Sequence, residues 1–234
     1  MVVGATGLVG SSLLRQLLGD ESCQSITVLA RRPLDWNGAP AEAHHKLKVI
    51  IADFDDMQAA LDDVEADLVF CALGTTIKAA GSRQAFRKVD YEYPLALAQW
   101  AVEQEVRHFL VITAMGSDQS SPFFYSRVKG DLEDALMRMP FESVRFFQPS
   151  LLLGQRPSMR LGESVGAGMM KAFQWLMVGP LRRYRPIQGE AVAKAMRFSA
   201  RQAMSSSTRP TKVSQPAVYT YSSEQLVEMA RQIR

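Results

Sequence analysis

Tyr125 and Lys129 are the residues of this sequence whose types and spacing most directly suggest chemistry. Four positions apart on a predicted helix, they lie one turn apart on the same face. A nearby ammonium lowers the pKa of a phenol, so Lys129 is expected to favour the phenolate. Tyr125 can then pass a proton to a carbonyl oxygen as hydride arrives at its carbon. A third group should hydrogen-bond the substrate carbonyl beside Tyr125. Thr113, at the end of a predicted strand, is the first choice and Ser117 the second; either hydroxyl could instead be a cap or turn residue.

Hydride transfer calls for a cofactor, and Gly4-Ala5-Thr6-Gly7-Leu8-Val9-Gly10 offers a place to hold one, between a predicted first strand and first helix. Gly4 permits the tight turn, Gly7 lets the backbone approach a pyrophosphate, and Gly10 lets the helix pack closely on the strand. The phosphates then meet free N–H groups and the positive helix end, which makes Gly4, Thr6, Gly7, Leu8, Val9 and Gly10 candidate cofactor contacts. Such a turn is weak evidence alone and strong inside a βαβ unit. Where an NAD site carries an acidic residue for the ribose, this chain reads Ala30-Arg31-Arg32. Two guanidiniums suit a 2′-phosphate, so NADP(H) is expected over NAD(H). The alternative is a pair of solvated loop arginines, and Asp35 lies close by. Asp53 and Phe54, just past the third predicted strand, are candidates for the adenine end, with Asp53 equally able to cap the helix that follows. Ala72-Leu73-Gly74-Thr75, at the end of the fourth, would line the ribose, and Lys129 would hold the nicotinamide ribose.

The elements that must position these residues alternate along the chain. Strands are predicted at residues 1–3, 25–30, 47–51, 67–72, 108–113, 143–148 and 217–221, and helices at 8–18, up to about 106, at 122–138 and at 222–232. Apolar strands in βαβ order predict an α/β fold with a doubly wound parallel sheet, a Rossmann fold. After Pro149 the regularity loosens, and helices at 162–178 and 190–201 are expected to form a small C-terminal substrate cap. The expected organisation is one domain over 1–234, with cap elements mainly from 155–212.

A chain of 234 residues with 47% hydrophobic and 22% charged side chains suits a single soluble domain and excludes disorder or a fibrous fold. No apolar run is long enough to cross a bilayer, and two cysteines, Cys23 and Cys71, provide no disulfide framework. With no signal-peptide pattern at the N-terminus, the expected location is cytoplasmic. Residues 160–234 hold 12 Lys/Arg against 4 Asp/Glu. Without interleaved aromatics, that excess favours solvated faces or an anionic small-molecule site over nucleic acid. His44-His45 has no third ligand at a recognisable spacing, so no metal is expected. A small-molecule substrate is the expected partner, with room left for a protein partner.

The chain resembles the short-chain dehydrogenase/reductase superfamily over nearly its full length, and within it the atypical Tat-interacting-protein-like NAD(P)-binding oxidoreductases. The resemblance rests on the glycine turn, Ala30-Arg31-Arg32, Cys71 to Thr76, Ala80-Gly81-Ser82, Val89-Asp90, Tyr125 with Lys129-Gly130, and Gln148 to Gly154. It implies that Pro149, Ser150 and Leu151 contact the nicotinamide end. Typical members carry Asn-Asn-Ala-Gly and a catalytic asparagine; here the single asparagine is Asn37, and the usual serine is Thr113 followed by Ala114. A non-catalytic NADPH-binding regulatory module is the rival expectation.

Overall fold

The computed structural model describes residues 1–34, 45–154, 184–206 and 215–232. Its strands are β1 (Val2–Val3), β2 (Ile26–Ala30), β3 (Leu47–Ile51), β4 (Leu68–Cys71), β5 (His108–Ile112), β6 (Ser143–Gln148), β7 (Leu152–Leu153), β8 (Ile187–Gln188) and β9 (Ala217–Ser222). Seven of them form one sheet in the order β3-β2-β1-β4-β5-β6-β9, and every pairing is parallel. β7 and β8 form a separate two-stranded pair. The strand order reverses direction at β1, and a crevice opens there beyond the carboxyl ends of β1 and β4.

The helices are α1 (Leu8–Leu18), α2 (Met57–Ala60), α3 (Ile77–Ala80), α4 (Arg83–Arg87), α5 (Tyr93–Glu103), α6 (Phe124–Met137), α7 (Gly189–Ser206) and α8 (Ser223–Gln232). A π-helical turn at Lys88–Glu92 joins α4 to α5. Strand residues alternate between two cores, as the two-residue period of a pleated strand requires. Val3, Leu29, Cys71, Val111 and Phe146 face one layer, packed with Leu97 and Trp100 of α5 and Leu132 and Leu136 of α6. Val2, Val28, Phe70, Leu110 and Phe147 face the other, with Leu13 and Leu17 of α1 and Val192 and Met196 of α7. Each such large apolar side chain, once buried, contributes about 1.5–3 kcal/mol.

The expected cap needs revision. The predicted helix at 162–178 lies outside the described residues, as do Asp35, Asn37 and His44. The predicted helix at 190–201 is α7, and it belongs to the sheet's own helical layer rather than to a cap. Its small buried residues, Ala193, Ala195 and Ala200, let it lie close against α1. Asp20, just past α1, fixes the pair: both carboxylate oxygens take Arg201 at 2.7 and 2.8 Å, and Arg197 stands 3.8 Å away.

Candidate functional site

The three glycines of the turn have different surroundings. Gly4 has φ +88°, and a Cβ there would stand 2.5 Å from the Ala72 carbonyl. At Gly10 a Cβ would stand 2.1 Å from the Gly4 oxygen, so α1 can start where it does only without a side chain. Gly7 is less confined: its Cβ would meet the Gly4 oxygen at 3.3 Å and nothing else closer than 4.0 Å. Gly7 also caps α1 with no side-chain hydrogen bond, and the first-turn amides of residues 8–10 have no acceptor within the helix. Val9 is buried in the core and the Leu8 side chain packs where Gly154 and Gly189 leave room, so these two residues can offer a ligand only their amides.

A cleft of about 890 Å³ opens over this turn. Of the residues singled out in the sequence, Gly4, Thr6, Gly7, Arg31, Arg32, Phe54 and Ala72 to Thr75 line it; Leu8, Val9, Gly10, Asp53, Tyr125, Lys129, Pro149, Ser150 and Leu151 do not. Sequence reasoning missed Tyr93. Its ring meets Phe54 edge-on at 5.4 Å and its hydroxyl donates to Asp55, while the Arg31 guanidinium lies 5.5 Å over the other ring. Asp53 spends its side chain on the Asp55 amide at 3.1 Å, which realises the capping alternative. The residues fit a dinucleotide: Gly4 and Gly7 in the cleft floor, the unpaired first-turn amides of α1 next to it in the chain, and two cationic forks in the wall of a cleft of suitable size.

α6 carries Tyr125 and Lys129. Tyr125 lays its ring on Phe86, with centroids 5.4 Å apart. Lys129 is only 3% exposed and pairs at 2.7 Å with Asp90, itself 1% exposed, from the π-helical turn. The second Asp90 oxygen accepts the Thr75 amide at 2.9 Å. This arrangement corrects the expectation for the phenol. Desolvation comes first and pushes the Tyr125 pKa up, Lys129 pulls it down, and Asp90 pushes it up again; the outcome is a raised value. The phenol is therefore held in its protonated form.

Thr113 and Ser117 have other partners. Thr113 is buried and donates its hydroxyl to Glu133; Ser117 donates to the Ala114 carbonyl at 2.7 Å and accepts the Ala114 amide. A hydroxyl has one proton to give, so Thr113 as placed offers a substrate only acceptor capacity. Glu133 also takes the Gln148 amide at 2.9 Å, yet burial pushes its carboxyl above the ordinary range. It lies one helical turn beyond Lys129, on the face that carries Tyr125, and that spacing was the signal that could have found it. At Gly130 a Cβ would meet the Gln119 nitrogen at 2.2 Å, so the loop after β5 rests directly on α6 there.

The segment expected at the nicotinamide end is engaged in the fold. The Ser150 amide donates to the Ser223 hydroxyl at 2.8 Å, and the Ser150 hydroxyl donates to the Arg185 carbonyl. The Pro149 carbonyl takes the Met115 amide at 3.1 Å, and Leu151 is exposed.

Residues 4–139 match the family described as NAD(P)H-binding. The chain is 34% identical over 168 residues to Protein FMP52, mitochondrial, of Candida albicans, spanning 70% of this chain and 72% of that one. It is 32% identical over 163 residues to Protein HTATIP2 of Rattus norvegicus, spanning 69% and 66%. Among solved structures, an ADP-L-glycero-D-manno-heptose-6-epimerase of Helicobacter pylori aligns with TM-score 0.64 and 15% identity, covering 99% of this chain and 81% of that one. MoeE5 in complex with UDP-glucose and NAD aligns with TM-score 0.61 and 17% identity, covering 99% and 80%. At these identities the likeness is one of fold. The fungal relatives are named as mitochondrial proteins, which overturns the cytoplasmic expectation. Unpaired cysteines point to a reducing compartment, and the cytoplasm is only one of those. With over half its length matched by that family and relatives at 32–34% identity over more than two thirds of it, this chain belongs to the NAD(P)H-binding family and is a homologue of HTATIP2 and FMP52.

Proposed function

We propose that the protein is an NADPH-dependent oxidoreductase that reduces a small carbonyl or related substrate, with Tyr125 as proton donor and Lys129 holding the cofactor's nicotinamide ribose. One observation carries the reading: buried Lys129 is tied through Asp90 to Thr75, so the helix bearing Tyr125 and the cofactor cleft are joined by direct contacts. A bound nicotinamide dinucleotide supplies the hydride. The proton comes from the protein: the Tyr125 O–H bond breaks, the proton goes to the substrate oxygen, and the phenolate left behind is stabilised by the Lys129 ammonium. NADPH is favoured over NADH because Arg31 and Arg32 are exposed at the cleft and, among the described residues, neither is in an ion pair.

A second reading, a non-catalytic NADPH-binding regulatory module, is favoured by the engagement of Thr113 with Glu133, which removes the expected donor for a substrate carbonyl. A screen of carbonyl substrates with NADPH separates the two. On the best substrate, Tyr125→Phe should lower turnover by about 10² or more while changing NADPH affinity little. Turnover unchanged by that substitution would remove Tyr125 from the mechanism, and a screen without any substrate would favour the regulatory module. The names of the fungal relatives support the mitochondrion as the compartment to test first, by fractionation.

A further inference from the structure

We propose that Asp90 is a positioning residue of the reaction centre, holding the Lys129 ammonium with one carboxylate oxygen and the Thr75 amide with the other, so that the end of β4 and the Tyr125 helix meet the cofactor as one unit. The inference deepens the reading of Tyr125 and Lys129 given above and rests on it.

Three segments converge on this carboxylate: the π-helical turn that carries it, the cleft wall after β4, and α6. A π-helical turn is a costly local departure from the α-helix, found mostly where a side chain has to be presented in a particular place. Here it presents an acidic group 1% exposed to an ammonium 3% exposed. Each charge offsets the cost of burying the other. A lysine ammonium has three N–H donors, so the ion pair leaves donors for sugar hydroxyls.

The same group acts on Tyr125. Around this centre, Lys129 and Glu133 of α6, Asp90 of the π-helical turn and Cys71 of β4 are the ionisable neighbours, and the thiol is held protonated by burial. Burial first, and Asp90 after it, offset Lys129 at the phenol, which keeps Tyr125 a proton donor and suits reduction rather than oxidation.

The test uses the full chain. Asp90→Asn keeps the shape and a hydrogen-bond acceptor but removes the charge; Asp90→Ala removes both. In cofactor-free protein, Tyr125 is titrated by the absorbance of tyrosinate, taking the difference from the matching Tyr125→Phe protein. Asp90→Asn should ionise Tyr125 about one pH unit lower than the unmodified chain. NADPH affinity should fall about tenfold or more in Asp90→Ala and less in Asp90→Asn. An unshifted Tyr125 titration in Asp90→Asn overturns the proposal even where Asp90→Ala fails to fold; so does a folded Asp90→Ala that binds NADPH normally while Lys129→Met has lost affinity. Normal NADPH binding by Lys129→Met would instead count against the role given to Lys129 in the proposed function.

Discussion

Replacing Gly7 by alanine separates the turn's role in folding from its role in binding. The added methyl would meet the Gly4 oxygen at 3.3 Å, a contact relieved by a few tenths of an ångström, and φ of −79° is open to alanine. Losing a glycine at the helix cap costs about 0.5–1 kcal/mol, and the stiffer unfolded chain returns about 0.4–1 kcal/mol. The melting temperature should therefore move by less than about 4 °C. The methyl stands where a pyrophosphate must approach the first-turn amides. Each hydrogen bond to a charged group contributes about 1.5–3 kcal/mol, so losing one weakens NADPH binding by about 10- to 100-fold. Calorimetric titration with NADPH, beside circular dichroism melting, measures both quantities. Gly10→Ala is the contrast: at 2.1 Å from the Gly4 oxygen its methyl should damage the fold itself. A folded Gly7→Ala protein with normal NADPH affinity would refute the assignment of this turn to the pyrophosphate.

Changing Arg31 and Arg32 together to alanine should remove most of an NADPH over NADH preference, about 10- to 100-fold, as read by competition binding; equal affinities in the unmodified protein would show that no such preference exists. At Asp20, burial raises the carboxyl pKa but the Arg201 guanidinium and the Ser22 donors outweigh it and hold it low. Its contribution is present above the unfolded value of about 3.9 and lost as pH falls through the depressed folded value. Arg201→Ala should cost about 1 kcal/mol near neutrality, a figure reduced because the guanidinium is half exposed, and the gap in melting temperature should close in acid. Glu133 runs the other way: its raised pKa means stability falls as pH rises from the unfolded value of about 4.3 to the folded one. In Glu133→Gln that decline should be absent from a series of melts across the window.

The sheet was legible because central parallel strands are largely apolar on both faces: Phe109 to Ile112 is an unbroken run, and Val144 to Phe147 is interrupted only by Arg145. The glycine turn was legible because its spacing falls between a strand and a helix. α7 was misplaced for a physical reason. Its buried face is made of alanines, whose pattern says that something packs closely but not what, and its partner α1 comes from the opposite end of the chain. The Asp90–Lys129 pair could not be read from spacing, since the π-helical turn that brings Asp90 to α6 breaks the periodicity on which such a reading depends. Thr113 was selected by its place at a strand end, and Glu133, which accepts its hydroxyl's hydrogen bond, was overlooked because the face bearing Tyr125 and Lys129 was not followed one turn further.

Leu8 opens the helix that starts just after Gly7 of the cleft floor, and the room it occupies is left by Gly154 and Gly189, two glycines from beyond the stretch matched by the family. The nucleotide turn is thus not a portable cassette. Cutting the chain after residue 139 would strip β6 from β5, bare the side of α1 that α7 covers, and leave Leu8 with nothing to rest against. Chimaeras that graft this turn between relatives should carry residues 152–154 and 184–206 along with it, as one inherited piece.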